Sequence, residues 1–238
     1  MRPFRACLTS FPEPPEDGGS TPVSADGHEG ITAMAVSFSE ALSLLTPPAP
    51  TPVGYSVDDV ERLFFVTYTP EQRAALQAIP FSEDVLKACV GTHMLFPGFG
   101  LSLLDIRDKN AALFYRKTGG WYAEEKHVFS RQRVPLRWYL LRTTPVPDSF
   151  RKTWKEQQAL LLPDEEVPAA ALIAFATMLH FRAAGKRLFE SCWVRTSDVD
   201  SVGGRVSVGY FDAVGFNVDY GWGDGRSDGL GLSASRKF

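Results

Sequence analysis

The constraint that narrows the fold most lies after residue 189, where helix-forming sequence stops. Residues 197–235 contain no Lys, Glu, Gln or Met, although thirty of these stand in the 238-residue chain. Four short β-like runs, 193–196, 205–212, 216–220 and 230–236, are separated by Gly, Asp and Ser. Turns of that composition exclude long side chains on their own account. The stretch before them is the opposite. Residues 167–189 are Ala-rich and apolar, with Pro168 near the first turn and Gly185-Lys186-Arg187 marking an end. One buried helix followed by short strands on polar connections predicts an α+β fold.

Upstream, local signals predict more helices. Ser56 followed by Asp58, Asp59 and Glu61 suits an N-cap and an acidic first turn. Thr69-Pro70-Glu71 opens a second helix and Phe81-Ser82-Glu83-Asp84 a third. Residues 101–106 and 137–142 read as strands, and 154–162 as a short helix. Asp164, Glu165 and Glu166 read as acids placed before a helix by its dipole. Residues 1–53, rich in Pro, Gly, Ser and acids, are expected to be a disordered leader with a short helix at 37–45. Met34 is an alternative start. The expected organisation is a leader at 1–53, a small helical region at 54–95 and a domain at 96–238.

Composition excludes several function classes. The net charge is -3, so no basic excess exists to neutralise a phosphate backbone, and nucleic acid is not expected as a partner. No apolar run has the length of a membrane span. Arg2 and Arg5 are not followed by the apolar core of a signal peptide. Location stays open between the cytoplasm and display through a carrier. Cys7, Cys89 and Cys192 lie far apart, which predicts reduced thiols and no metal centre.

The tail also carries a pattern in how its codons were written. Randomising the adenines of an Asn codon while keeping its final pyrimidine reaches Tyr, Asp, Ser, Gly, Val and Asn. It does not reach Lys, Glu, Gln, Met or Trp. Residues 218–238 read VDYGWGDGRSDGLGLSASRKF, and a frame VNNNWNDNRNDNLGLSSARKF underlies them. With LLDIRDK, LFYRKTGGWY, KTWKEQQALL, GKRLFE and WVRTSDVDS upstream, roughly residues 80–238 resemble the variable proteins of diversity-generating retroelements from small-genome bacteria and phages. In these a reverse transcriptase copies a template with adenine-specific errors.

The resemblance implies a C-type-lectin-like fold, shared with formylglycine-generating enzymes. It is a short-stranded β scaffold flanked by helices, with a diversified tail at about 202–232. It also implies ligand-binding positions at Ser207, Tyr210, Val214, Asn217, Asp219, Tyr220, Gly221, Gly223, Gly225, Ser227 and Gly229. Tyr for rigid area and Ser, Gly and Asn for adaptable polar contact are the vocabulary of binding surfaces. Trp222, Arg226, Leu230, Leu232, Arg236 and Phe238 are the frame's fixed residues and are expected to hold the scaffold.

Other constellations weigh less. Asp198-Val-Asp200 resembles the start of a calcium loop, but Val202 takes the third ligand place, so a turn is expected. His93 and His127 read as residues of loops or element ends, and His180 as a satisfied core residue. Cys192 reads as buried and inert. The pairs Trp121-Tyr122 and Trp138-Tyr139 read first as core and rim aromatics, and second as a sugar-stacking site. No G-x-S-x-G and no phosphate-cradling Gly-rich loop is present. The expected function is therefore a receptor-like binding module for a protein or glycan, not an enzyme and without a cofactor. The alternatives are a tail-tip or surface assembly protein and, behind it, an oxidoreductase of the formylglycine-generating type.

Overall fold

The computed structural model describes residues 53–238. Helix α1 (Val57–Phe64) starts at a capping box. The Ser56 hydroxyl accepts from the Asp59 N–H, and the Asp59 carboxylate accepts from the Ser56 N–H. Thr69 and Gln72 do the same for α2 (Pro70–Ala75), and the Ser82 hydroxyl caps α3 (Glu83–Ala88). All three starts lie where the local signals put them.

Residues 101–106, expected as a strand, are instead the entry to α4 (Leu103–Lys109). Ser102 and Asp105 form another reciprocal cap, while Leu103 and Ile106, three apart, are both buried. The strand lies earlier, at β2 (His93–Pro97). A short apolar run has no periodicity to separate the two; the cap decides.

β2 pairs in parallel with β1 (Val53–Gly54) and antiparallel with β3 (Trp138–Arg142). Beyond β3 the sheet continues through β9 (Ser235–Arg236) to β4 (Glu165–Glu166). Asp164, Glu165 and Glu166 therefore do not serve a helix dipole as expected. They pair with Arg236, Arg142 and Arg137, cations brought to them by the sheet. Helix α5 (Trp154–Gln158) precedes β4.

Helix α6 (Ala170–Ala184) is shorter at both ends than the expected 167–189. Its first N–H, from Ala170, donates to the Asp198 carboxylate at 2.6 Å, and Gly185 ends it in the left-handed conformation at φ 68°. Residues 170–180 are buried without a break, so α6 is covered on every side. Phe175 stacks on Phe64 of α1 at 4.5 Å and on Phe96 of β2 at 5.9 Å. His180 is bonded to the Tyr55 hydroxyl at 2.7 Å, a satisfied core histidine. Residues 54–95 contribute Val60, Phe64, Tyr68, Leu76 and Met94 to this same core.

The second sheet has the order β7-β6-β5-β8, with β5 (Trp193–Val199), β6 (Arg205–Gly209), β7 (Asn217–Gly221) and β8 (Leu230–Leu232). Val194, Val206 and Val208 bury one face of it in the core. The expected single run 230–236 is broken at Ser233-Ala234, with β8 in this sheet and β9 in the other. Among the described residues the result is a mixed α+β fold of two sheets and six helices. Among the described residues no helix is long and apolar enough to cross a membrane. The expected leader, the helix at 37–45, Met34, His28 and Cys7 fall outside the described residues.

Two histidines stand at an element end and in a loop, as expected, but both are buried. His93 is in β2 and 3% exposed, with Nδ1 on the Thr92 hydroxyl and Nε2 without a partner. His127 is buried edge-on to Trp121 at 4.8 Å. The Asp198–Gly203 stretch is a strand end and a turn. Asp200 accepts from the Val202 and Gly204 N–H groups, while Asp198 serves α6. Burial pushes the Asp198 carboxyl up from its ordinary range, against the pull of the Ala170 N–H.

Candidate ligand-binding face

Cross-strand register sorts the tail into two faces. Arg195 pairs with Ser207 and Ser207 with Asp219. Trp193 pairs with Gly209, Gly209 with Asn217, and Arg205 with Gly221. Directly paired residues share a face. Trp193, Arg195, Arg205, Ser207, Asn217, Asp219 and Gly221 therefore lie on the side away from the core valines. The loop 222–229 returns over this side. The Tyr210 ring lies 5.4 Å from Trp193. A cavity of about 140 Å³ is lined by Trp193, Arg195, Arg205, Ser207, Asp219, Tyr220, Gly221, Ser227 and Leu230. A second depression of about 210 Å³ shares Trp193 and Asp219 with it and adds Trp121, Tyr122, Asn217 and Val218.

The structure brings together Ser207, Asn217, Asp219, Gly221 and Ser227, with Tyr210 and Gly229 beside them. Three expected positions behave differently. Tyr220 pairs with Val206, so its ring lies on the opposite face, 4.6 Å from Trp121. Val214 is 61% exposed in the loop before β7 and lines neither depression. Ser207 sits centrally but is only 7% exposed. Gly223 and Gly225 hold the return loop. Gly223 accepts from the Trp154 N–H, and Gly225 accepts from Arg195.

The fixed frame also divides. Leu232 is fully buried, Leu230 and Arg236 are half-buried, and Arg226 is exposed but paired with Glu156. Trp222, expected to hold the scaffold, is 67% exposed on the loop. Phe238 is largely exposed yet meets Phe81 edge-on at 5.6 Å.

The glycines separate into two kinds. Gly209 has φ 140°, and a Cβ there would collide with the Cys192 carbonyl oxygen; Gly215 has φ 129°, with a Cβ 2.6 Å from the Phe114 backbone. Only glycine fits either place. None of Gly221, Gly223, Gly225 and Gly229 has a left-handed φ, and a Cβ at Gly221 would meet nothing within 4 Å. Gly209→Ala is expected to cost about 2 kcal/mol or more. Gly221→Ser should stay within about 0.5 kcal/mol, both read from urea midpoints.

The cations at the cavity were not flagged by motif. Arg195 is 2% exposed, and its guanidinium donates to Lys152 O at 3.0 Å, Gln157 Oε1 at 2.9 Å and Gly225 O at 2.5 Å. Arg205 donates to the Ser197 carbonyl at 2.7 Å and lies over the Trp154 ring at 4.0 Å. Burial first, then the neighbouring Arg205, pushes the Arg195 pKa down. The only available signal was alternation, which sets Trp193 and Arg195 on one side of β5 and Val194 and Thr196 on the other.

The remaining candidates are structural. Trp138 donates to Leu76 O and Tyr139 to Pro135 O. Trp121 donates to Val218 O, fixing the edge of β7 while lining the second depression. Cys192, expected buried, is half-buried, and burial raises its thiol pKa; Cys89 is buried, and both thiols are free. Neither a scan of protein-family models nor searches of curated proteins and solved structures finds a match to this chain.

Proposed function

We propose that this protein is a ligand-binding variable protein of a diversity-generating retroelement, carried on a C-type-lectin-like scaffold. The carrying observation is the convergence of Ser207, Asn217, Asp219, Gly221 and Ser227, from two strands and a return loop, on one outer sheet face. The intervening Val206 and Val208 go to the core. At its exposed positions, Asp219, Gly221 and Ser227, side chains change without disturbing the packing beneath them. Tyr210 and the exposed Trp222 flank it as aromatic anchors, the residue types in which binding energy concentrates. The ligand is a protein or a glycan that varies with the copy.

Sequencing the DNA around the gene tests this reading. The expected result is a second, imperfect copy of the segment encoding about 205–238, near a reverse-transcriptase gene. The copies should differ only where the second has adenine. Absence of that copy, or differences that ignore adenine, overturns the reading. A protein-level test is the combined variant Asp219→Tyr, Gly221→Ser and Ser227→Asn. It should unfold within about 1 kcal/mol of the parent, since surface changes away from buried contacts are nearly neutral.

A further inference from the structure

We propose that the outer-face cavity is a fixed anchor for the carboxylate of an acidic side chain on a protein partner. This rests on the reading of 207–229 as a variable surface. Trp193 and Arg195 precede that stretch, and Arg205 is not among its diversified positions. Apart from Ser207, which sits between Arg195 and Asp219 in the sheet, the variable residues thus rim a floor that they do not change.

Arg195 and Arg205 both line the cavity, and every hydrogen bond their guanidinium groups make goes to a neutral oxygen. No carboxylate is paired with either among the described residues. The one acid lining the cavity, Asp219, is at the exposed rim and accepts from the Tyr220 N–H. Burial and the proximity of Arg205 both weaken proton binding at Arg195, and the Asp224 carboxylate offsets them in part. An anion entering the cavity relieves the second effect and gains strong charge-assisted bonds. A volume of about 140 Å³ takes a carboxylate side chain. The flanking Trp222 is free to cover the apolar surface of a protein around that side chain.

The test uses the full chain, isotope-labelled, titrated with a short poly-glutamate peptide. A poly-glutamine peptide and trigalacturonate serve as comparisons. The expected result is saturable shifts of the Trp193 indole and Arg195 Nε–H resonances with poly-glutamate alone, weakened at high salt. Arg205→Gln should weaken binding about tenfold. Asp219→Asn, which removes the like charge at the rim, should strengthen it several-fold and needs no buried group to change. Equal shifts from poly-glutamine, binding of trigalacturonate in place of poly-glutamate, or no response to Asp219→Asn overturns the proposal. Failure here beside an adenine-mismatched second gene copy removes only the anchor. Carboxylate binding without such a copy leaves a fixed site and removes its variable rim.

Discussion

Arg195→Met is expected to destabilise the protein by about 3 kcal/mol. The guanidinium joins three segments. It leaves β5, reaches Lys152 O just before α5 and Gln157 Oε1 near the end of α5, and reaches Gly225 O in the return loop. Gln157 is itself fully buried and donates to Ser149 O and Leu230 O, so its position depends on the same network. Methionine fills most of the volume and recovers the cost of burying a charge. It strands the buried Gln157 Oε1, which costs about 1–3 kcal/mol, and frees the part-buried Lys152 and Gly225 carbonyls, whose loss water offsets only in part. The recovery and the loss oppose each other, and the loss is larger because α5 and the return loop also lose the bonds that tie them to β5. Arg195→Lys keeps the charge but reaches fewer of the three, so it should fall between. Urea unfolding gives both values, and limited proteolysis of residues 222–229 should quicken in parallel. A loss under 1 kcal/mol for Arg195→Met would mean that the loop is held by Trp154 and Arg226 instead.

What the sequence made legible follows the range of the interaction. The starts of α1, α2 and α3 are set by a hydroxyl and an amide three residues away, so Ser56, Thr69 and Ser82 announce them. The burial of α6 is written in its own unbroken apolar run. The four β-like runs of the tail were legible as runs, but their partners were not. Ser233-Ala234 divides one run between two sheets because β9 fits between β3 and β4, a fact about distant strands. Asp164–Glu166 misled because a helix lay next in sequence while arginines lay next in space. Asp198 performs the capping role expected of those acids, from 28 residues away. At the site, codon arithmetic named surface positions but said nothing of which face they take. Tyr220 therefore lies against Trp121 on the other face, still 49% exposed, and Trp222 points outward. The cationic floor escaped notice because two arginines ten residues apart form no motif until β5 and β6 pair.

The second large effect is a loss of stability in mild acid, centred on His93. Its ring is 3% exposed, Nε2 has no partner, and Arg142 lies opposite it in the sheet. Burial, then the Arg142 and Arg236 guanidinium groups, holds its pKa down at about 4, against 6.5 in the unfolded chain. The sign follows from proton counting. Above 6.5 the ring is neutral in both states and contributes no pH dependence. Between 6.5 and 4 the unfolded chain takes up a proton that the folded chain refuses, so stability falls with falling pH. Below 4 both states are protonated and the loss levels off at about 3 kcal/mol, from roughly 1.4 kcal/mol for each pH unit of the interval. His180, whose pKa burial also lowers, adds a smaller loss of the same sign. His93→Gln removes the titration and keeps a polar group beside Thr92. Its urea midpoints should therefore change much less between neutral pH and pH 4 than those of the parent, leaving the His180 share. An unchanged slope in His93→Gln would place the acid sensitivity elsewhere.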